Sequence, residues 1–380
     1  MSMLSRVRPD LATFRAYVSA RSSGLDAPIR LNANESPWPG VNASGDCNRY
    51  PDPQPAALRT RLAALYGVGA AQLWMGRGSD EAIDLLLRAF CRARRDNIVT
   101  LAPTFGMYAI GARLQGAEYR ELALDADAGF AFDPERLLAL TDANTKLVIV
   151  CSPNNPTGTL YHNALEFLAG NLRGRALLVV DEAYIEFAGV PSAVGLIDRH
   201  DNVAVLRTLS KAHALAGARI GALIAHEDVA AFIGRIAAPY PLPAPCVTLA
   251  LEALDPAALR AAGTRVAKLL YERERVALGL ASLQCVVHVW PSRANFLLVR
   301  FTDGRAALER AMAAGIVVRD VSAQAGLDQC LRITIGTPEE NDSLLDALFK
   351  SRRSRSVAST PIVKRSRQTT DAVSPVGDAP

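Results

Sequence analysis

Cysteine is sparse in this 380-residue chain: six residues, at 47, 91, 151, 246, 285 and 330, with no Cys-x-x-Cys pair among them. In a chain this long, that excludes a small disulfide-stapled scaffold and predicts reduced, mostly buried thiols and a cytoplasmic home. Histidine is sparser still, and the five present never fall at metal-ligand spacing, so no metal site is expected. No apolar run approaches the ~18–20 residues that a membrane-spanning helix requires. The N-terminus lacks the apolar core of a secretory signal, and Asp10 and Asp26 argue against an organellar transit peptide. Net charge is only +4, and the six basic and two acidic residues beyond position 350 account for all of it. That tail (351–380) is rich in Ser, Thr and Arg without apolar periodicity, which predicts a disordered appendage rather than a nucleic-acid tether.

What is present is half apolar and about a fifth charged, the composition of a globular chain with room for two or three domains. Between residues 96 and 210, short runs such as 97–101, 147–151, 177–181 and 203–207 are apolar almost throughout. Strands buried on both faces belong to a mainly parallel sheet covered by helices on both sides, an α/β layer. From about 256 the pattern changes. A long charged helix (259–280) leads to strands at 295–300, 316–319 and 330–335 and a final helix at 338–349, which predicts a smaller α+β unit. The proline-rich stretch 238–245 reads as a rigid extended link between them. The expected division is an N-terminal arm (1–40), a large domain (41–255), a small C-terminal domain (256–350) and the tail.

Polar residues of matched chemistry follow these strands directly. Ser152-Pro-Asn-Asn-Pro-Thr-Gly158 is a turn by composition, and Asn154 offers an amide donor. Asp181 ends an apolar strand, where a carboxylate requires a cationic partner; Tyr184 lies three residues on. Lys211 sits in Arg207-Thr-Leu-Ser-Lys211, with Ser210 beside it and Arg219 eight residues later. Gly76-Arg-Gly-Ser-Asp-Glu81 precedes an amphipathic helix, with Ser79 and Asp80 expected at its cap, where backbone N–H groups favour phosphate. One cofactor needs all these types at once. Pyridoxal 5′-phosphate requires an amine for a Schiff base (Lys211), an acid for its ring nitrogen (Asp181) and donors to its phenolate (Asn154, Tyr184). Its phosphate requires a hydroxyl and a cation (Ser210, Arg219).

These motifs resemble the fold-type I aminotransferases. Leu31-Asn-Ala-Asn-Glu35, Arg49-Tyr-Pro51, Arg207-Thr-Leu-Ser-Lys-Ala212, Ala237-Ala-Pro-Tyr-Pro241 and Cys330-Leu-Arg-Ile-Thr334 resemble the histidinol-phosphate aminotransferase family in particular, across residues 25–349. The resemblance implies a fold-type I pyridoxal-phosphate transferase acting as a homodimer with shared active sites. Tyr50 would reach the partner's cofactor phosphate and Tyr108 would stack on the pyridine ring. Arg332 would bind the substrate's anionic group, with Arg319 and Tyr17 completing the pocket. His213 departs from the pattern, which has an aromatic such as Phe there.

The expected reaction moves an amino group between L-glutamate and imidazole-acetol phosphate, giving histidinol phosphate by a ping-pong route. Two arginines suit it, because a planar guanidinium pairs with phosphate or carboxylate alike. Rivals on the same scaffold are an aromatic amino acid aminotransferase and a phospho-amino-acid decarboxylase. A cofactor-sensing transcription regulator would need a DNA-binding module, and only about thirty residues precede the first motif. Small-molecule substrates are expected, and no membrane or nucleic-acid partner.

Overall fold

The computed structural model describes residues 3–17, 29, 31–40 and 47–349; the expected tail lies outside the described residues. In chain order the described segments form α1 (Ala56–Tyr66), β1 (Leu73–Gly76), α2 (Ser79–Phe90), β2 (Asn97–Ala102), α3 (Met107–Gln115), β3 (Glu118–Ala123), α4 (Pro134–Ala139) and β4 (Thr145–Cys151). There follow α5 (His162–Leu172), β5 (Leu177–Asp181), β6 (Val203–Thr208), β7 (Gly221–Ala225), α6 (Glu227–Ile236) and α7 (Ala244–Ala253). The remainder is α8 (Pro256–Ala281), β8 (Val286–Val289), β9 (Phe296–Phe301), α9 (Gly304–Ala313), β10 (Arg319–Asp320), β11 (Cys330–Thr334) and α10 (Pro338–Phe349).

The first seven strands form one sheet in the order β1-β7-β6-β5-β4-β2-β3. Neighbours from β6 to β3 run parallel, while β7 runs antiparallel to both of its neighbours. Every residue of β4, β5 and β6 is buried, which is why these segments read as unbroken apolar runs. Two apolar clusters cover the opposite faces of this sheet. The other four strands form an antiparallel sheet, β10-β11-β9-β8, with α8, α9 and α10 packed around its own core.

Helix limits follow local chemistry. Pro256 opens α8 at a first-turn position that needs no N–H donor, and Gly67 closes α1 in the left-handed conformation. Two expected segments differ. Regular pairing near 316–319 is confined to Arg319–Asp320, because β10 is an edge strand whose residues are exposed. The proline-rich link is shorter than expected, since Ala244 and Pro245 already belong to the first turn of α7.

Candidate active site

The sheet brings several loop ends to one place. β4, β5 and β6 are parallel neighbours, so the residues that follow them emerge at the same edge, where ligands bind in open α/β sheets. Antiparallel β7 starts at that edge with Gly221. A Cβ on Gly221 would lie 2.3 Å from Gly78 C and Ser79 N, so only glycine lets β7 abut the start of α2. Gly78 has φ +82°, and a Cβ there would meet Arg219 Nη2 at 2.6 Å. Two glycines therefore hold the N-terminus of α2 open beside a guanidinium.

A cavity of about 140 Å³ lies among these ends. Ser79, Asp80, Ser210 and Arg219 line one side of it, and Asp181, Tyr184 and Lys211 another. Arg219 Nη2 donates to Asp80 Oδ2 at 2.9 Å, and Nη1 contacts Ser210 Oγ at 3.4 Å. Thr208 Oγ1 in turn bonds Ser210 Oγ at 2.9 Å. Ser79 and Asp80 are not cap residues, as the sequence suggested: α2 begins at Ser79, Gly78 takes the cap position, and no side chain caps the helix. Glu81 turns back to accept from the Arg77 amide at 2.6 Å and from the Arg77 guanidinium.

Asp181 is 3% exposed and receives two neutral donors, the Tyr108 hydroxyl at 2.7 Å and the Ala183 amide at 3.1 Å. Burial raises its pKa, with the Tyr108 hydrogen bond opposing. A carboxylate so placed favours a cation. The Lys211 amine lies 5.5 Å from the centroid of the Tyr184 ring. Lys211 is exposed and lines the cavity, yet loss of water around the amine and the positive field of Arg332 lower its pKa. That favours the neutral, nucleophilic form. An amine, a buried acid, and a helix N-terminus with a hydroxyl and a guanidinium suit the carbonyl, ring nitrogen and phosphate of pyridoxal 5′-phosphate, so these residues fit that cofactor.

Two expected residues are displaced by their neighbours. Asn154 is fully buried and committed within the protein, donating to Pro103 O at 2.9 Å and Thr157 Oγ1 at 3.0 Å and accepting from Thr104 Oγ1 at 2.7 Å. It is Asn155 that lines the cavity, and it also accepts from Arg332 Nη1. Tyr108 is likewise 0% exposed and does not line the cavity, because its hydroxyl is turned to Asp181. Phe105, edge-on to Tyr108 at 5.6 Å, supplies the aromatic wall instead. The sequence signals for both were the adjacent Asn of a pair and the first aromatic after a buried strand. Cys151 and Thr208, which also line the cavity, carried no signal beyond ending apolar runs.

The remaining residues lie further out. Arg332 and Arg319 are register partners across β11 and β10 and share a separate groove of about 710 Å³. Arg332 is half-buried, with its guanidinium 5.4 Å from the Phe296 ring centroid, and Phe296 packs edge-on to Tyr184. Arg319 is exposed. Tyr50 stacks on Tyr240 at 4.5 Å, and its amide donates to Glu35 Oε1. Tyr17 is 72% exposed beside Trp74 and Arg235. Neither tyrosine lines the cavity of this chain. His213 is half-buried outside the cavity wall, and burial lowers its pKa. Among the described residues, no helix is long and apolar enough to cross a membrane, and no three His, Cys, Asp or Glu side chains cluster as for a metal ion.

A sequence profile of the family described as aminotransferase class I and II matches residues 22–348. The chain belongs to that family, and its cofactor is pyridoxal 5′-phosphate. It is 51% identical over 354 residues to the histidinol-phosphate aminotransferase of Stenotrophomonas maltophilia (strain R551-3), covering 92% of this chain and 97% of the relative. Its place within the family is among the histidinol-phosphate aminotransferases. The histidinol-phosphate aminotransferase from Sinorhizobium meliloti, solved in complex with pyridoxal-5′-phosphate, superposes with a TM-score of 0.72 at 28% identity over 79% of this chain and 82% of that one. The L-threonine-O-3-phosphate decarboxylase from Porphyromonas gingivalis superposes with a TM-score of 0.67 at 23% identity over 80% of this chain and 90% of that one, a likeness of fold alone.

Proposed function

We propose that this aminotransferase exchanges an amino group between L-glutamate and imidazole-acetol phosphate, giving 2-oxoglutarate and histidinol phosphate. The arrangement of Lys211, Asp181 and the Arg219 cradle around one cavity, with Arg332 anchored on Asn155 at its approach, carries the reading. Pyridoxal 5′-phosphate, when bound, supplies an electrophilic carbonyl and an electron-withdrawing ring. Arg219, Ser210 and the first turn of α2 hold its phosphate, and Asp181 keeps the ring nitrogen protonated. Lys211 anchors the cofactor through its amine. Once free, that amine moves the proton of the substrate Cα. Arg332 takes the phosphate of one substrate and a carboxylate of the other, since its fork fits both.

The site residues argue for a homodimer, and the surface supports it. Met107, Ile110 and Leu114 form an exposed apolar stripe on α3, next to Phe105 of the cavity wall. Exposed apolar stripes of this kind mark association surfaces. Tyr50 and Tyr17 would then serve the partner's site or complete this one. The two separate sheets support a division into a large and a small unit, and six free thiols suit a cytoplasmic enzyme. A substrate panel tests the assignment. Glutamate with imidazole-acetol phosphate should turn over far faster than glutamate with phenylpyruvate, without release of carbon dioxide. Preference for phenylpyruvate, or carbon dioxide from a phosphorylated amino acid, would move the chain to one of the rival activities.

A further inference from the structure

We infer that Arg207, held between Glu182 and Glu186, is a positioning residue that fixes the Lys211 loop against the Asp181–Tyr184 turn; this rests on Lys211 being the reactive amine. β5 and β6 are parallel neighbours, with Asp181 opposite Leu206, and the Glu182 amide donates to Leu206 O at 3.0 Å. The two chain segments that carry the site therefore leave the sheet side by side. Beyond that point no backbone ladder joins them, and side chains must do so.

Arg207 is 8% exposed, four residues before Lys211. Its Nη2 donates to Glu186 Oε1 at 2.8 Å, and Nη1 lies 3.6 Å from Glu182 Oε2. The guanidinium also sits over the Tyr66 ring at 4.7 Å from its centroid. Glu182 directly follows Asp181 and is 1% exposed; it further accepts from the Ala193 amide at 2.6 Å and from the Ser192 hydroxyl. Glu186 lies in the short 3₁₀ turn Ile185–Phe187 that follows Tyr184. One buried cation thus ties the strand leading to Lys211 to both ends of the turn bearing Tyr184. Neither carboxylate nor guanidinium lines the cavity, so the network acts on the reaction only through geometry.

The arrangement is specific to arginine. A lysine presents a point charge and cannot span two carboxylates with a planar fork. Small misplacements of a reacting group lower rates strongly, on the order of 100-fold per ångström. Loosening this tie should therefore slow proton transfer by Lys211 without altering how tightly substrate is held.

The test compares full-chain holoenzyme with Glu186→Gln, which keeps the side-chain shape, and with Arg207→Lys and the double variant. Single-turnover rate, KM, melting temperature and the visible circular dichroism of the bound cofactor are read for each. Borohydride trapping followed by peptide mass locates the cofactor's attachment. We expect Glu186→Gln to lower the single-turnover rate about tenfold and to change the visible dichroism, with KM within roughly twofold. The double variant should be no slower than the slower single one, as for residues acting as a unit. A lowered melting temperature with unchanged rate and dichroism would overturn the inference, leaving Arg207 a purely structural residue. Wild-type cofactor trapped at a lysine other than Lys211 would instead overturn the reading of the site on which it rests.

Discussion

The hydroxyl of Tyr108 donates to Asp181 Oδ2 at 2.7 Å, and both residues are buried, Asp181 at the cavity wall and Tyr108 behind it. This contact turns a residue that the family resemblance would place against the cofactor ring into the support of the acid that meets it. Burial and the neighbouring Asp181 charge push the Tyr108 pKa well up, so the phenol stays a donor.

Tyr108→Phe should therefore destabilise the cofactor-free protein at neutral pH by about 1 kcal/mol, the net value of a buried hydrogen bond. The pH dependence has a definite sign. Burial raises the Asp181 pKa above its ordinary 3.8, so the folded state holds its proton to higher pH than the unfolded chain. That group's contribution to stability falls as pH rises above 3.8 through the raised folded-state pKa. Without the Tyr108 donor the carboxylate is still less favourable, so the variant's deficit should shrink as pH is lowered into that window. Chemical denaturation of both proteins at pH 4.5 and 7.5 measures it; equal deficits at the two pH values would contradict the account.

The adjacent asparagines should separate stability from catalysis. Asn154→Ala removes the partner of the Thr104 hydroxyl and both donors of a fully buried amide, which costs roughly 2–3 kcal/mol of folding stability. Asn155→Ala leaves that network intact but frees Arg332 and opens the cavity wall. Its melting temperature should stay close to wild type while KM rises on the order of tenfold for either amino donor, from loss of one charge-assisted hydrogen bond. Melting curves and steady-state kinetics on the two variants read both effects.

Arg332→Ala should impair both half-reactions, because each substrate presents an anion to the same guanidinium. The expected loss in kcat/KM is about 10- to 100-fold, from a charged hydrogen bond worth ~1.5–3 kcal/mol. Arg319→Ala should do less, since Arg319 is exposed on the edge strand beside it. Measuring both half-reactions separately for each variant decides it. If Arg332→Ala harms only one of them, a single guanidinium does not serve both anions.

Much of this was legible in the sequence because the fold writes it there. Strands buried on both faces cannot hide their polarity, so β4, β5 and β6 and the chemistry following them could be read directly. The same holds for α10, whose limits match expectation at Pro338 and Phe349. Asn154 and Asn155 are the contrary case. They are adjacent and chemically identical, and only the path of the turn decides which one faces the cavity. Phe105 and Tyr108 pose the same problem across three residues, since both are aromatic and the entry to α3 alone assigns one to the wall and the other to Asp181. Residues whose role depends on a second strand, such as Cys151 opposite Asp181, leave no local pattern.

The central claim is that Lys211 moves an amino group between histidinol phosphate and 2-oxoglutarate. It is tested by mixing excess cofactor-loaded protein with histidinol phosphate and quantifying the keto product of one turnover. Wild type should convert nearly all of the added histidinol phosphate to imidazole-acetol phosphate, and 2-oxoglutarate added afterwards should then yield an equal amount of glutamate. Lys211→Ala, mixed in the same way, should form neither. Product formed by Lys211→Ala at the wild-type rate, or a wild type that releases keto product from tyrosine but not from histidinol phosphate, would contradict the account.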